Sequence, residues 1–349
     1  MKIAMLAPIA WRTPPRHYGP WELVTSLLTE ALVARGIDVT LFATLDSVTS
    51  AKLDGVVPAP YSEDPAIDAK VWEYRHLSHL FAQADRFDLI HNQADFPAHA
   101  FAPLVRTPMV TTIHGFSSER ILPMYQPFQD RVHYVAISEA DRHPSLRYAT
   151  TIHHGIAIDE FPFDPDGGDG LLFFGRIHPD KGAKEAIDAA RRSGLPLDMY
   201  GIVQDQGYFD ALVAPELDDN IRYHGPVGGT DRARALGKAR ALLHLINFDE
   251  PFGLSVAEAM ACGTPVIATR RGSMTELIEH GRTGFLVDDV EAAVRAIDRI
   301  GELDRAAVRR HAIERFSVER MADDYIALYR SVLRAERDQR PLSPAFRTA

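Results

Sequence analysis

Short apolar runs alternate with segments of helical period along nearly the whole chain. Residues 2–8 read as a buried strand. Over 21–35, Leu23, Val24, Leu27, Leu28, Ala31 and Leu32 recur on one helical face, and Gly36 suits the helix end. Further strands are predicted at 38–44, 88–92, 109–115 and 133–138, with a shorter one at 151–156. Helices are expected over 69–84 and 98–105. The stretch 159–170 breaks the rhythm: Pro162, Pro165, Gly167 and Gly168 stand among acidic residues, as in a linker or hinge. The alternation then restarts. Strands are predicted at 171–177, 197–203, 221–224, 241–246, 266–269 and 285–287. Helices are predicted at 184–193, 207–214, 231–238, 255–261, 274–279, 290–300 and 304–314, with a last long one over 318–337. This pattern predicts an α/β protein of two Rossmann-like domains, 1–160 and 161–317, followed by the helix 318–337 and a flexible tail, 338–349. In such sheets ligands sit beyond the carboxyl ends of the strands, here expected in a cleft between the domains.

Composition narrows the class. The chain has 349 residues, 46% hydrophobic and 25% charged, with a formal charge of −10. Residues 1–160 hold 13 Lys and Arg against 18 Asp and Glu, and the remainder 25 against 30, so no basic region advertises nucleic acid. Cys262 is the single cysteine, which rules out an intrachain disulfide and points to a reducing compartment. The apolar start is short and is followed at once by Trp11-Arg12-Thr13-Pro14-Pro15, so it reads as a strand rather than a leader. No run reaches the roughly 20 apolar residues of a membrane span. A cytoplasmic location is expected; the Arg-rich stretch from Arg330 leaves a peripheral membrane contact as an alternative. Oligomeric state is not legible.

The chemistry concentrates in two places of the second half. In Glu250-Pro251-Phe252-Gly253-Leu254, a glycine-containing turn precedes a small-residue helix that carries Glu258. A helix start offers free N–H groups to a phosphate, and carboxylates accept hydrogen bonds from sugar hydroxyls. In Phe174-Gly175-Arg176-Ile177-His178-Pro179-Asp180-Lys181-Gly182, Arg176 and Lys181 close a strand and precede a helix. Cations there oppose the helix dipole, which favours a ligand role as a phosphate-gripping pair. Two such cations would stabilise negative charge growing on a departing diphosphate. No strong Asp-x-Asp metal motif stands beside them.

These residues carry a family resemblance. Glu250 and Glu258 match the E-x7-E pattern, and Arg176 with Lys181 the G-R-x4-K-G pattern, of retaining GT-B glycosyltransferases of family 4, the glycosyl transferases group 1. The resemblance runs from Tyr18-Gly19 to Met321, Tyr325 and Tyr329. It implies a GT-B fold whose last helix crosses back to the first domain. It implies a retaining hexosyltransferase that moves a hexose from a UDP-, GDP- or ADP-sugar to an acceptor hydroxyl of a glycan, lipid or small molecule. No metal and no further cofactor are implied. Arg176 and Lys181 would bind the diphosphate, Glu250 the transferred sugar, Glu258 the ribose, and Phe252, Gly253 and Leu254 would offer backbone N–H groups. Val227 matches the loop that faces the base. By the same analogy the reaction is front-face, with the leaving phosphate taking the acceptor proton, and the domains close about 161–170.

On the acceptor side, relatives carry a Gly-Gly pair where this chain has Gly19-Pro20, so only Gly19 keeps an N–H. Tyr18, Trp21 and Glu22 are expected to line the acceptor space. His114 ends a strand where relatives place a histidine beside the donor sugar, and it is the fourth candidate catalytic residue with Arg176, Lys181 and Glu250. His91 and Asp95 are candidates for reaching the acceptor. His153 and His154 read as a structural pair and Cys262 as packing. No Ser-His-Asp or Cys-His arrangement and no G-x-G-x-x-G is present. Two alternatives stay open: a sugar phosphorylase or nucleotide-sugar epimerase on the same fold, and a non-catalytic nucleotide-sugar-binding protein.

Overall fold

The computed structural model describes residues 1–116 and 118–339. The chain divides into two compact units. One holds Met1–Ala136, His143–Ile152 and the chain from Met321; the other holds Ile137–Arg142 and His153–Arg320.

The first unit is built on a seven-stranded sheet: β1 (Lys2–Leu6), β2 (Asp38–Thr44), β3 (Lys52–Val57), β4 (Leu89–Asn92), β5 (Met109–Ile113), β6 (Val132–Ala136) and β7 (Tyr148–Thr151). Their order is β3-β2-β1-β4-β5-β6-β7 and every pairing is parallel. The central strands β1, β4 and β5 are almost wholly buried, as expected of parallel strands covered on both faces, and this is why they read as unbroken apolar runs. The helices are α1 (Pro20–Ala34), which starts on a proline, and α2 (Ala69–Phe81), whose first turn is capped by Asp68 accepting from Val71 N at 2.9 Å.

The second unit carries β8 (Leu171–Phe174), β9 (Leu197–Tyr200), β10 (Ile221–Tyr223), β11 (Ala241–His244), β12 (Val266–Thr269) and β13 (Gly284–Val287). Their order is β10-β9-β8-β11-β12-β13, again all parallel. Its helices are α3 (Ala183–Ser193), α4 (Gln206–Tyr208), α5 (Gly229–Lys238), α6 (Leu254–Ala261), α7 (Met274–Leu277), α8 (Val290–Arg299) and α9 (Arg305–Phe316). α10 (Val318–Gln339) begins in this unit, where Val318 N donates to Ile156 O at 3.1 Å. From Met321 onward it belongs to the first unit, where Tyr325 and Tyr329 are fully buried.

Five features differ from the sequence expectations. β3 was not predicted: its Lys52, Asp54 and Gly55 break the apolar pattern because it is an edge strand, only half covered. The strand expected at 151–156 lies at 148–151. The helix expected at 98–105 is a 3-10 helix, Phe96–Leu104, with Pro97 and Pro103 within it. The segment 207–214 runs from α4 into a π-helix, Phe209–Val213. The expected tail starts inside α10, and residues 340–349 lie outside the described residues.

The Pro- and Gly-rich stretch 159–170 is packed within the second unit rather than extended as a free linker. Phe161 is buried in that unit's core. The Asp164 carboxylate accepts from Gly167 N at 2.8 Å and pairs with Lys238 at 2.9 Å, while Asp164 O accepts from Arg305 Nε at 2.8 Å. A Cβ on Gly168 would lie 2.3 Å from Lys238 O, so the glycine there serves close approach.

Candidate functional site

Each sheet reverses its strand order once, between β1 and β4 in the first and between β8 and β11 in the second. Loops that leave the carboxyl ends of such neighbouring strands part to opposite sides and open a crevice. The candidate residues gather at both places.

In the second unit, Arg176 and Lys181 follow β8, and Glu250 follows β11. Lys181 Nζ donates to Glu250 Oε2 at 2.6 Å, with both side chains about 15% exposed. The ammonium also stands 4.4 Å from the centre of the Phe248 ring. Gly182, at φ +71°, lets the loop cross β11: a Cβ would lie 1.9 Å from Leu245 O. Gly272 does the same for the Glu250 loop, where a Cβ would lie 2.4 Å from Glu250 N and O. Ser273 then fastens that loop, its N–H donating to Glu250 O at 2.9 Å and its hydroxyl to Phe252 O at 2.7 Å.

His244, at the end of β11, was not a sequence candidate. Its Nε2 stands 3.6 Å from Glu250 Oε2, just beyond hydrogen-bond reach, and is buried without a hydrogen-bond partner. Burial drives the His244 pKa down, which leaves the ring neutral near pH 7. Burial also works to raise the Glu250 pKa, but His244 and the Lys181 charge outweigh it and hold the carboxyl at about 2. The centre is thus a carboxylate–ammonium pair with a neutral imidazole behind it.

The other second-unit candidates divide. Arg176 Nη1 donates to Gln204 Oε1 and is half-buried. Glu258 lies within α6, 3% exposed, and accepts from Arg232 Nη2. Burial pushes its pKa up against the pull of Arg232. Arg232 also lies over the Phe174 ring at 5.3 Å, and its Nε is buried without a partner. Gly253, at φ +91°, starts α6 with no side-chain cap; Phe252 is buried against His153, His154 and Phe316. Val227 lies half-buried in the loop after β10, beyond Tyr200 and His224, whose rings stack at 4.7 Å.

In the first unit a cavity of about 470 Å³ opens where the loops after β1 and β4 part. Tyr18, Trp21, Glu22 and Asp95 line it, joined by Trp11, Tyr61, Glu73 and His76, which the sequence reading left without a role. Gly19, at φ +148°, is packed against Glu22, Pro15 and Trp11. Asp95 adopts φ +62°, alone among the described non-glycine residues in having positive φ; Asn92 Nδ2 holds its carbonyl at 2.7 Å and the Tyr125 hydroxyl donates to its carboxylate. A strained residue fixed by its neighbours is common at ligand sites. Burial raises the pKa of Glu22 to about 7, and also raises those of Glu73 and Asp95.

The two candidate histidines of this unit lie in different surroundings. His114 is nearly buried, stacks on Trp21 at 5.2 Å and meets Gln93 Oε1 at 2.6 Å, with burial pushing its pKa down to about 3. His91 does not line the cavity. It is 0% exposed inside β4, with Nδ1 2.5 Å from the Tyr329 hydroxyl and Nε2 2.8 Å from Thr112 Oγ1. Side chains alternate along a strand, and His91 points to the face that α10 covers. Among the described residues no cluster of three or more His, Cys, Asp or Glu is arranged to hold a metal ion, and no helix is long and apolar enough to cross a membrane.

Two parallel, doubly wound sheets, each with polar groups gathered at its point of reversal, define the GT-B architecture. The family model for glycosyl transferases group 1 matches residues 158–315, and that for Glycosyltransferase Family 4 matches residues 22–159. The chain belongs to this glycosyltransferase family. A D-inositol 3-phosphate glycosyltransferase of Pseudarthrobacter chlorophenolicus is 39% identical over 43% of the chain, and a second, of Arthrobacter sp., 37% identical over 37%. The matches take in only 36% and 33% of those relatives' lengths. A glycogen synthase of Mycobacterium tuberculosis is 27% identical over 99% of the chain and 98% of its own length. Among solved structures, Anabaena Alr3699/HepE in complex with UDP covers 95% of the chain and 100% of its own at 19% identity and a TM-score of 0.75. AviGT4, a glycosyltransferase involved in avilamycin A biosynthesis, gives 23% identity and 0.71 over 96% of the chain and 98% of its own.

Proposed function

We propose that the protein transfers a hexosyl group from a nucleotide diphosphate sugar to an acceptor hydroxyl, with retention at the anomeric carbon and without a metal. The observation that carries this reading is the Lys181–Glu250 pair at the reversal point of the second sheet. A cation and a carboxylate held 2.6 Å apart in a half-buried crevice suit a ligand with both an anionic group and hydroxyls. In this reading the diphosphate draws on the Lys181 and Arg176 cations, and Glu250, kept ionised by its surroundings, accepts from sugar hydroxyls. As the glycosyl bond breaks, charge grows on the leaving oxygen, and those two cations supply the stabilisation a metal would otherwise give. The backbone N–H groups at the start of α6 add donors for the same anion, and Glu258 with Arg232 stands along that helix for the ribose. The UDP in the HepE structure and the glycosyl transfers that name the relatives support the reading without choosing the base, the sugar or the acceptor.

The test is nucleotide release from a panel of UDP-, GDP- and ADP-hexoses, with and without acceptors and with and without chelator. Acceptor-dependent release from one donor, unaffected by chelator and giving a product of retained anomeric configuration, is expected. Release that requires inorganic phosphate, or none with any donor, would remove the proposal.

A further inference from the structure

We infer that the cavity at the reversal point of the first sheet takes an acceptor ring that is uncharged and rich in hydroxyls, and that it rejects a phosphorylated one. This deepens the proposed function and rests on reading that cavity as the acceptor's place.

Three observations carry it. First, the ionisable carboxyls of Glu22, Glu73 and Asp95 line the space, and among the described residues lining it there is no Lys or Arg. A phosphate would meet three carboxyl groups and no cation, and like charges brought together at a binding surface cost several kcal/mol. Second, His76 presents a lone pair. Its Nε2 lies 3.0 Å from Ala7 O, and a carbonyl only accepts, so Nε2 carries the proton. Nδ1 is then an acceptor, and it is buried without a partner in a side chain only 1% exposed. A ring hydroxyl supplies the donor it lacks. Third, the remaining walls are aromatic: Trp11 and Tyr18 meet edge to face at 6.3 Å, and Trp21 is backed by His114. Ring C–H faces pack well on such walls while hydroxyls at the rim reach the carboxyls.

The three acids have neutral local partners rather than cations. Glu22 accepts from Trp11 N at 3.1 Å and so shapes the loop. Glu73, though, sits half-buried on α2 beside Tyr61 and forms no ion pair within 4 Å among the described residues.

The test uses the whole protein and paired probes: glucose against glucose 6-phosphate, and myo-inositol against its 3-phosphate. Two of the three tryptophans line the cavity, so intrinsic fluorescence reads binding there. At least one neutral probe is expected to bind about tenfold tighter than its phosphorylated partner. Glu73→Arg should weaken that neutral probe about tenfold and strengthen its phosphorylated partner, whereas Glu73→Gln should leave the order unchanged. The proposal is overturned if a phosphorylated ring binds as well as the neutral one, if no neutral probe binds, or if Glu73→Arg leaves the order unaltered. Thermal shift by nucleotide, read in parallel, reports the second unit separately. Loss of that shift with intact probe selectivity counts against the proposed function alone.

Discussion

The two sheets of this protein share a topology and differ in chemistry. Both reverse strand order once and both gather polar residues at that point. In the second unit acids and bases come in pairs: Lys181 with Glu250, Arg232 with Glu258. In the first unit the acids Glu22, Glu73 and Asp95 line a cavity with aromatic walls and, among the described residues, no Lys or Arg in its lining. Topology therefore says where a ligand sits, and side-chain charge says what kind of ligand it is. A paired site can exchange one ionic partner for a charged substrate at modest cost, because each charge is already compensated. In the acid-only cavity burial raises the carboxyl pKa values, which favours hydrogen bonds over ion pairs with a ligand.

The largest expected effect tests the paired site. Lys181→Ala removes a cation from the leaving-group side and should lower kcat/KM by about 10²–10³, or roughly 3–4 kcal/mol. It also strands Glu250 in a half-buried crevice, so the melting temperature should fall. The double variant Lys181→Ala, Glu250→Gln should recover much of the lost stability and none of the turnover. Steady-state kinetics beside thermal denaturation separates the two. Turnover at the wild-type level in Lys181→Ala would remove the ionic role, and failure of the double variant to recover stability would show that the pair does not carry the fold cost assigned to it.

The next effect belongs to the acid-only cavity. Glu22 titrates near 7 in the folded protein against about 4.5 when unfolded, because burial disfavours its charge. Below pH 4.5 both states hold the proton. Between pH 4.5 and 7 the unfolded chain releases it while the folded one retains it, so folding loses stability as pH rises, by about 3 kcal/mol in total. Glu22→Gln keeps an acceptor for Trp11 N and has no charge to bury. The variant should therefore be about 3 kcal/mol more stable than the wild type at pH 8 and similar to it at pH 4. Denaturant titrations at the two pH values read the difference; equal stability at pH 8 would mean that Glu22 is ionised at little cost and that the cavity is wetter than its burial indicates.

What could be read from the chain follows the same division. Buried parallel strands such as β1, β5 and β11 announce themselves as apolar runs, so the α/β class and most element positions are legible. The edge strand β3 is not, because an edge has fewer apolar neighbours to satisfy. Glu250 and Glu258 are legible because one loop and one helix fix their spacing. Their neighbours His244, from the strand before, and Arg232, from a different helix, are not, nor is Gln204, which meets Arg176 from the loop after β9. Tyr61, Glu73 and His76 reach the cavity from a segment whose pattern signals only a turn and a helix. The stretch 159–170 misleads in the opposite sense. Its prolines and glycines mark tight local turns, which here serve packing against Arg305 and Lys238 rather than freedom.

The smallest effect concerns His91, whose place shows how a strand sorts its own side chains. Asn92 holds the strained Asp95 at the cavity, while the adjacent His91 is turned to the face under α10 and bonded to Tyr329 and Thr112. Burial holds its pKa at about 3, so it stays neutral and cannot serve as an acid at working pH. Tyr329→Phe removes the hydroxyl and leaves His91 Nδ1 buried without a partner, at a cost of about 1–2 kcal/mol. Probe affinity in the cavity should not change, since no lining residue has moved. If stability falls and neutral-ring binding holds, His91 belongs to the seam between the first sheet and α10. If binding falls with unchanged stability, His91 reaches the acceptor in a state with a different strand register, and the contrast between a packing face and a ligand face in β4 fails.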